Sequence, residues 1–264
     1  MKNIFEIDFG QLYRKHMAAC GRQVKAPEDW DARACRMRAV ATDSGYVRQF
    51  VARMDLAGCQ SLLDVGCGTG AISLAVADRL EQIFALDYSV GMLAAMKELA
   101  AERGIDHIHP LRRAWEDEWR DVPVCDVAIA SRSTAVMDLE AALKKLDAHA
   151  AKRAYLTSKV GGYFIDPEIA GVIGRQLDPV PDYIYAVNIL YQMGRQPRVD
   201  FIDNDHRPTD CETADEFVRR VSFSLGSVTD PERERLAEWF QADPDRARAS
   251  GRPFRWAFIG WETA

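Results

Sequence analysis

The sequence predicts an α/β fold built on a mostly parallel sheet, and three observations predict it. The stretch Ser61–Gly70, SLLDVGCGTG, is an apolar run that ends in glycines at alternate positions, and the helix-forming AISLAVADRL follows at once. That is the pattern of a buried strand, a tight turn and a helix start. By residue 160 five strand-then-helix units are complete, the rhythm of parallel strands joined by crossover helices. A strongly apolar closing run, FRWAFIGW at 254–261, adds a last strand after a series of helices.

The bulk numbers narrow the class of function. The 264 residues are 48% apolar and 28% charged, as in a large soluble domain with an insertion. A net charge of −6 weighs against nucleic acid as the main partner, because surfaces that neutralise phosphates are basic. The six cysteines are scattered with no C-x-x-C pair, so neither a zinc site nor a dithiol redox centre is expected. The start, MKNIFEIDFG, lacks the features of a secretion signal. No apolar run reaches the ~20 residues of a membrane span. The expectation is a cytoplasmic protein with free thiols and no membrane partner.

The glycine turn carries the chemistry. Gly66, Gly68 and Gly70 suit a turn that needs unusual backbone angles and lets a ligand lie against the main chain. Gly66, Gly68 and Ala71 also satisfy the looser G-x-G-x-x-A spacing of dinucleotide enzymes, which keeps an NAD(P)-dependent oxidoreductase open. Asp64 argues otherwise. It stands inside the strand, where a pyrophosphate would meet like charge, whereas a cationic amino group would be welcome or the acid could brace the turn. Cys67, within the turn, reads as a packing residue. The second strand, Gln82–Asp87, ends in an acid, and a carboxylate there accepts from both hydroxyls of a ribose.

LDVGCGTG resembles motif I of the class I S-adenosylmethionine (SAM) methyltransferases, and the stretch DYSVGML after Asp87 resembles the part of that family that covers the adenine. The resemblance implies a seven-stranded Rossmann-like sheet with an antiparallel last strand. It implies SAM as cofactor, held by Asp64, Gly66, Cys67, Gly68, Gly70 and Asp87. Tyr88 and Met92 would lie near the adenine, beside Trp115. Glu116 or Asp117 would take its amino group, with Glu116 preferred. Ser131 stands at the end of the fourth strand, Val124–Ser131. An N-terminal helical segment closes over the cofactor in such enzymes, which nominates Tyr13, Trp30 and Arg33, the last for the methionine carboxylate because a guanidinium fork matches it.

The acceptor side is less defined. Arg132 follows Ser131 in SRST, where enzymes acting on bases or glutamine carry an Asn/Asp-Pro-Pro-Tyr sequence; that departure favours a small-molecule acceptor. Residues 161–197 break the βα rhythm and are dense in aromatic residues, so Tyr163, Tyr185 and Tyr191 become substrate-binding candidates on a helical cap. The same surface is open to a homodimer contact. The resulting division is 1–45 (segment closing over the cofactor), 46–160 (SAM-binding core), 161–197 (cap) and 198–264 (completion of the sheet). Asp203, Asp205 and His206 form a polar loop rather than a metal centre, so no metal is expected. No general base is evident, which leaves a non-catalytic SAM-binding subunit as a second alternative.

Overall fold

The structure is a computed structural model that describes residues 3–21, 25–40, 44–203, 209–251 and 253–263. Seven strands form one sheet: β1 (Ser61–Val65), β2 (Gln82–Asp87), β3 (Ile108–Arg112), β4 (Cys125–Ala130), β5 (Ala150–Lys159), β6 (Arg198–Asp203) and β7 (Arg255–Glu262). Their order is β3-β2-β1-β4-β5-β7-β6. β1 to β5 pair in parallel, and β7 runs antiparallel between β5 and β6. The six-parallel, one-antiparallel sheet is the expected one. β3, whose Pro110 removes a ladder donor, lies at an edge, where a proline is tolerated.

Both faces of the sheet are buried, which is why β1 and β4 read as apolar runs, each with a single acid, rather than alternating ones. Leu62, Ile83, Val127, Ile129 and Phe258 face α3 (Gly45–Arg53), α4 (Ala71–Ala75) and α5 (Val90–Glu102). Leu63, Val65, Ala128, Leu156 and Ile259 face α1 (Phe9–Ala19), α6 (Leu139–Ala148) and α8 (Ile184–Gln192). Asp126 braces the entrance to the sheet: it accepts from the Gln60 and Ser61 amides and pairs with Lys152.

The N-terminal segment is divided between the two sides. α1 packs with α8 and α6, whereas α2 (Pro27–Val40) packs on α5 through Trp30, Ala34, Met92 and Ala95. The stretch 161–197 is divided as well. α7 (Pro167–Val172) joins α9 (Ala214–Leu225), α10 (Asp230–Ala242) and α11 (Pro244–Ala249) in a helical lobe with its own core of Ile169, Phe217, Val221, Leu236 and Phe240. α8 instead buries Ala186, Ile189 and Leu190 in the sheet's second layer. Its small and branched residues at helical spacing fit a crossover helix, so only the first half of the stretch contributes to a lobe outside the sheet.

Candidate active site

Parallel strands all open at one edge, and this edge carries the glycine turn, Asp87, Ser131 and Lys159. The turn is fixed from β2: the amides of Gly66 and Cys67 both donate to Leu86 O, at 2.7 and 3.0 Å. All three glycines have positive φ, but for different neighbours. A Cβ on Gly66 would strike Ser133, and one on Gly70 would strike Met96, whereas one on Gly68 would meet open space. The floor at Gly68 is therefore bare, as a ligand cradle requires.

Asp87 ties the turn to the next helix. It is 6% exposed, and its two oxygens accept from Gly68 N and Ser89 N, each at 2.9 Å. A carboxylate has about four acceptor positions, so two remain for a ligand's hydroxyls. Burial raises its pKa. Asp64 lies at the end of β1, 1% exposed. Its Oδ2 accepts from Ser73 Oγ at 2.7 Å, while Oδ1 is buried without a partner. One oxygen thus braces the turn and the other remains available. Burial pushes Asp64 up to about 7, more than the Ser73 hydrogen bond pulls it down. Cys67 is buried, and its thiol is pushed up by burial and the two acids, which suits packing rather than reactivity.

Around Asp87, Tyr88 donates to Lys25 O and Met92 is fully packed under α2. Trp115 donates to Ser133 O and stacks on Trp119. Asp117 is engaged with the amide of Ala114, while exposed Glu116 lies close enough to Tyr88 to act on its ionisation. Of the two acids, Glu116 is the less committed.

Residues 62–152 match the family model described as a methyltransferase domain. An uncharacterized protein of Haemophilus influenzae is 35% identical over 265 residues, which cover 98% of this chain and 97% of that one. Among solved structures, a putative methyltransferase from Bacillus halodurans superposes with a TM-score of 0.58 at 11% identity, covering 82% of this chain and 98% of that one. Coclaurine N-methyltransferase bound to N-methylheliamine and SAH gives a TM-score of 0.52 at 14% identity, covering 98% and 95%. Residues 62–152 are a methyltransferase domain, and the chain has the fold of the class I SAM-dependent methyltransferases. It is a SAM-dependent methyltransferase. The antiparallel β7 inserted between β5 and β6 agrees, because a dinucleotide-binding sheet has six parallel strands. The residues present fit SAM: the bare floor at Gly68 can take its methionine portion, the spare acceptor positions of Asp87 its ribose hydroxyls, and the unpartnered Asp64 oxygen a cationic amino group.

In this methyltransferase the ends of β4 and β5 are joined by a residue that the sequence did not single out. Tyr46 of α3 is buried, and its hydroxyl lies 2.8 Å from Ser131 Oγ and 2.7 Å from Thr157 Oγ1. Ser131 is thus engaged with Tyr46. Arg132 is the one described non-glycine residue with positive φ, at 58°, and its guanidinium lies 4.2 Å from the Tyr46 ring centroid. Lys159, also missed, is buried at the end of β5. Its ammonium donates to Val160 O and lies over Phe254, and burial pulls it down to about 8. A lysine at a strand end reads as solvated until Phe254, just ahead of β7, is placed beside it.

The remaining sequence candidates sit elsewhere. Tyr13 is buried in the second layer, donating to Val136 O and packing edge-on against Tyr185, whose hydroxyl meets His16. These two tyrosines serve the α1–α8 contact. Tyr191 is 54% exposed on the far side of α8. Tyr163 is half-buried in the link from β5 to the helical lobe. Trp30 packs on Met92 and edge-on against Phe223 of α9. Arg33 stacks on the same Phe223, with its guanidinium carbon 3.7 Å from the ring centroid. Among the described residues no group of three metal-ligating side chains occurs; Asp205 and His206 lie outside them.

Proposed function

We propose that this methyltransferase acts on a small-molecule acceptor enclosed at the carboxyl edge of the sheet. The observation that carries the proposal is the contact between Trp30 and Phe223, ring centroids 5.6 Å apart. α2 is anchored on the β2 side of the edge: Asp31 accepts from Ser89 Oγ and from Gly91 N. α9 belongs to the connection that leaves β6 and returns as β7, and so rises from the opposite flank. Where the two meet, Trp30 and Arg33 lie against Phe223, and in this reading the pair forms a bridge over the carboxyl edge of the sheet. An acceptor beneath such a bridge is compact, and the acidic chain suits it better than a polymer of phosphates. Nucleic-acid and membrane partners are not part of the proposal.

When bound, SAM supplies a methyl group on a positively charged sulfur, which needs little activation. The chain's own task is then to position and to exclude water. Asp87 holds the sugar, Asp64 faces the amino group, and Glu116 takes the adenine amino group. Ser131, Arg132 and Lys159 line the ends of β4 and β5 where the acceptor stands, and the bridge closes water out.

Calorimetry with S-adenosylhomocysteine (SAH), followed by incubation of the protein with methyl-tritiated SAM and a metabolite extract, tests this reading. Label recovered in a dialysable product supports it. Label confined to macromolecules, or SAH binding without any transfer, overturns it, and the latter outcome would favour a non-catalytic partner subunit.

A further inference from the structure

We propose that Lys25, Arg33, Arg36, Arg219 and Arg220 form a receptor for a carboxylate or phosphate group on the methyl acceptor. This inference rests on the small-acceptor reading above and names the acceptor's chemistry. The residues meet where α2 faces α9. Two cations lie over the Phe223 ring, the Arg33 guanidinium carbon 3.7 Å and the Lys25 ammonium 4.7 Å from its centroid. Arg33 Nε is buried with no hydrogen-bond partner. Arg36, Arg219 and Arg220 are the charges that act on Arg33, and all repel it. The acid paired with this group is Glu216, which bonds Arg220 on its own helix. Arg36 and Arg219 are exposed, and Glu216, already bonded to Arg220, is the acid that also feels Arg219.

Such a gathering is costly in an apo protein. A guanidinium is normally protonated far above neutrality, yet burial and its cationic neighbours bring Arg33 down to about 10. The chain holds 40 acids against 34 bases, so compensating carboxylates were not scarce. An anion arriving at the cluster would meet a planar donor fork and relieve the repulsion at the same time. The ring faces of Phe223 and Trp30 would cover an apolar body beside that anion.

The partners of these cations separate this site from the cofactor's. The sequence nominated Arg33 for the methionine carboxylate, which must lie by the glycine turn. Arg33 and Lys25 lie on Phe223 of α9, whereas Asp64 and Asp87 are tied to the glycine turn and its helix, so in this proposal the cluster serves the acceptor and the turn serves the cofactor.

The test is thermal unfolding of the full chain at low ionic strength with inorganic phosphate or benzoate, in wild type, Arg33→Gln, Arg36→Gln and Arg219→Gln, with SAH calorimetry alongside. The expected result is a saturable rise in Tm with one or both anions, at least halved in Arg36→Gln and Arg219→Gln and lost in Arg33→Gln. SAH affinity should stay within threefold throughout. Without anion, the exposed-site variant Arg219→Gln should melt above wild type, because it removes repulsion and leaves packing intact. An equal anion response in all four proteins would overturn the proposal. A tenfold loss of SAH affinity in Arg33→Gln with methylthioadenosine binding unchanged would also overturn it and return the arginine to the cofactor's carboxylate. Failure of wild type to bind SAH would sink the methyl-transfer reading itself, whereas lost anion response with SAH binding intact sinks the cluster alone.

Discussion

The hydroxyl of Tyr46 stands 2.7 Å from that of Thr157, and this single contact fastens the helix before the first strand to the end of the fifth. Ser131 joins from β4, and Thr157 also receives the amide of Arg132. Three hydroxyls and a strained residue are thus held at the point where the acceptor is expected. Tyr46→Phe removes one oxygen and leaves Ser131 and Thr157 short of a partner. Buried groups stranded in this way cost about 1–3 kcal/mol. The urea midpoint should fall accordingly, with the slope unchanged; an unaltered midpoint would mean that the hydroxyl network carries no stability.

Asp87 does two jobs at once, bracing Gly68 and Ser89 while keeping acceptor positions spare. Asp87→Ala should lower SAH affinity by more than tenfold, since each lost hydrogen bond to a charged acceptor is worth about 1.5–3 kcal/mol. Calorimetry reads this directly. Unchanged affinity would remove Asp87 from the ribose.

The residues that the sequence located well are those whose role is set by the backbone. Gly68 and Asp87 lie at the ends of consecutive strands, and a buried parallel strand announces itself as an apolar run whatever the rest of the chain does. Arg33 was visible as a residue but not as a place, because its surroundings come from Phe223, Arg219 and Arg220 on a helix inserted between the last two strands. Lys159 was hidden for the same reason: Phe254 from beyond the helical lobe decides that it is buried. The stretch 161–197 misled because aromatic density marks burial without saying in which layer. Tyr185 is half-buried against Tyr13 and His16 of α1, in the layer that holds α8.

The glycines of the turn separate ligand space from packing. A methyl group on Gly70 would come within 2.5 Å of Met96 Cγ, in the core, while one on Gly68 would meet nothing within 4 Å. Both residues have positive φ, 77° and 56°, so each alanine carries a conformational cost of about 1–2 kcal/mol. Gly70→Ala should therefore be the less stable variant, with Met96 displaced as well. Gly68→Ala should lose only that conformational cost yet bind SAH far more weakly. Denaturation and calorimetry on the pair check this, and equal binding losses at similar stability would contradict it.

Asp64 makes cofactor binding depend on pH. Its apo pKa of about 7 means that a proton occupies the carboxyl through much of the mildly acid range. An ammonium group at the unpartnered oxygen requires the carboxylate form, so binding expels that proton. SAH affinity should fall below pH 7, approaching tenfold per unit, and calorimetry in buffers of different ionisation enthalpy should show proton release. In Asp64→Asn the profile should be flat over the same range. Stability of the apo protein runs the other way: because the folded pKa lies above the unfolded one, near 3.8, the group's contribution is lost as pH rises from about 4 to about 7.

Lys159 gives the last check, since its burial is a penalty that a substitution can remove. The unfolded amine titrates at 10.5 and the folded one at about 8, with desolvation the largest cause. Below pH 8 both states are charged, and the folded state bears the cost of a buried ammonium. Between pH 8 and 10.5 the folded state sheds its proton first and gains stability relative to the unfolded chain. Above that range both are neutral and the penalty is gone. Lys159→Met keeps the length and apolar stem of the side chain without the charge. It should raise stability at pH 7 by about 1–3 kcal/mol, and the advantage should shrink as pH approaches 10.5. Such a gain, paired with a loss of methyl transfer to the natural acceptor, would mark a lysine retained for its amine at the expense of the fold; a destabilised Lys159→Met at pH 7 would instead place Val160 O and the Phe254 ring among the partners that hold the strand end together.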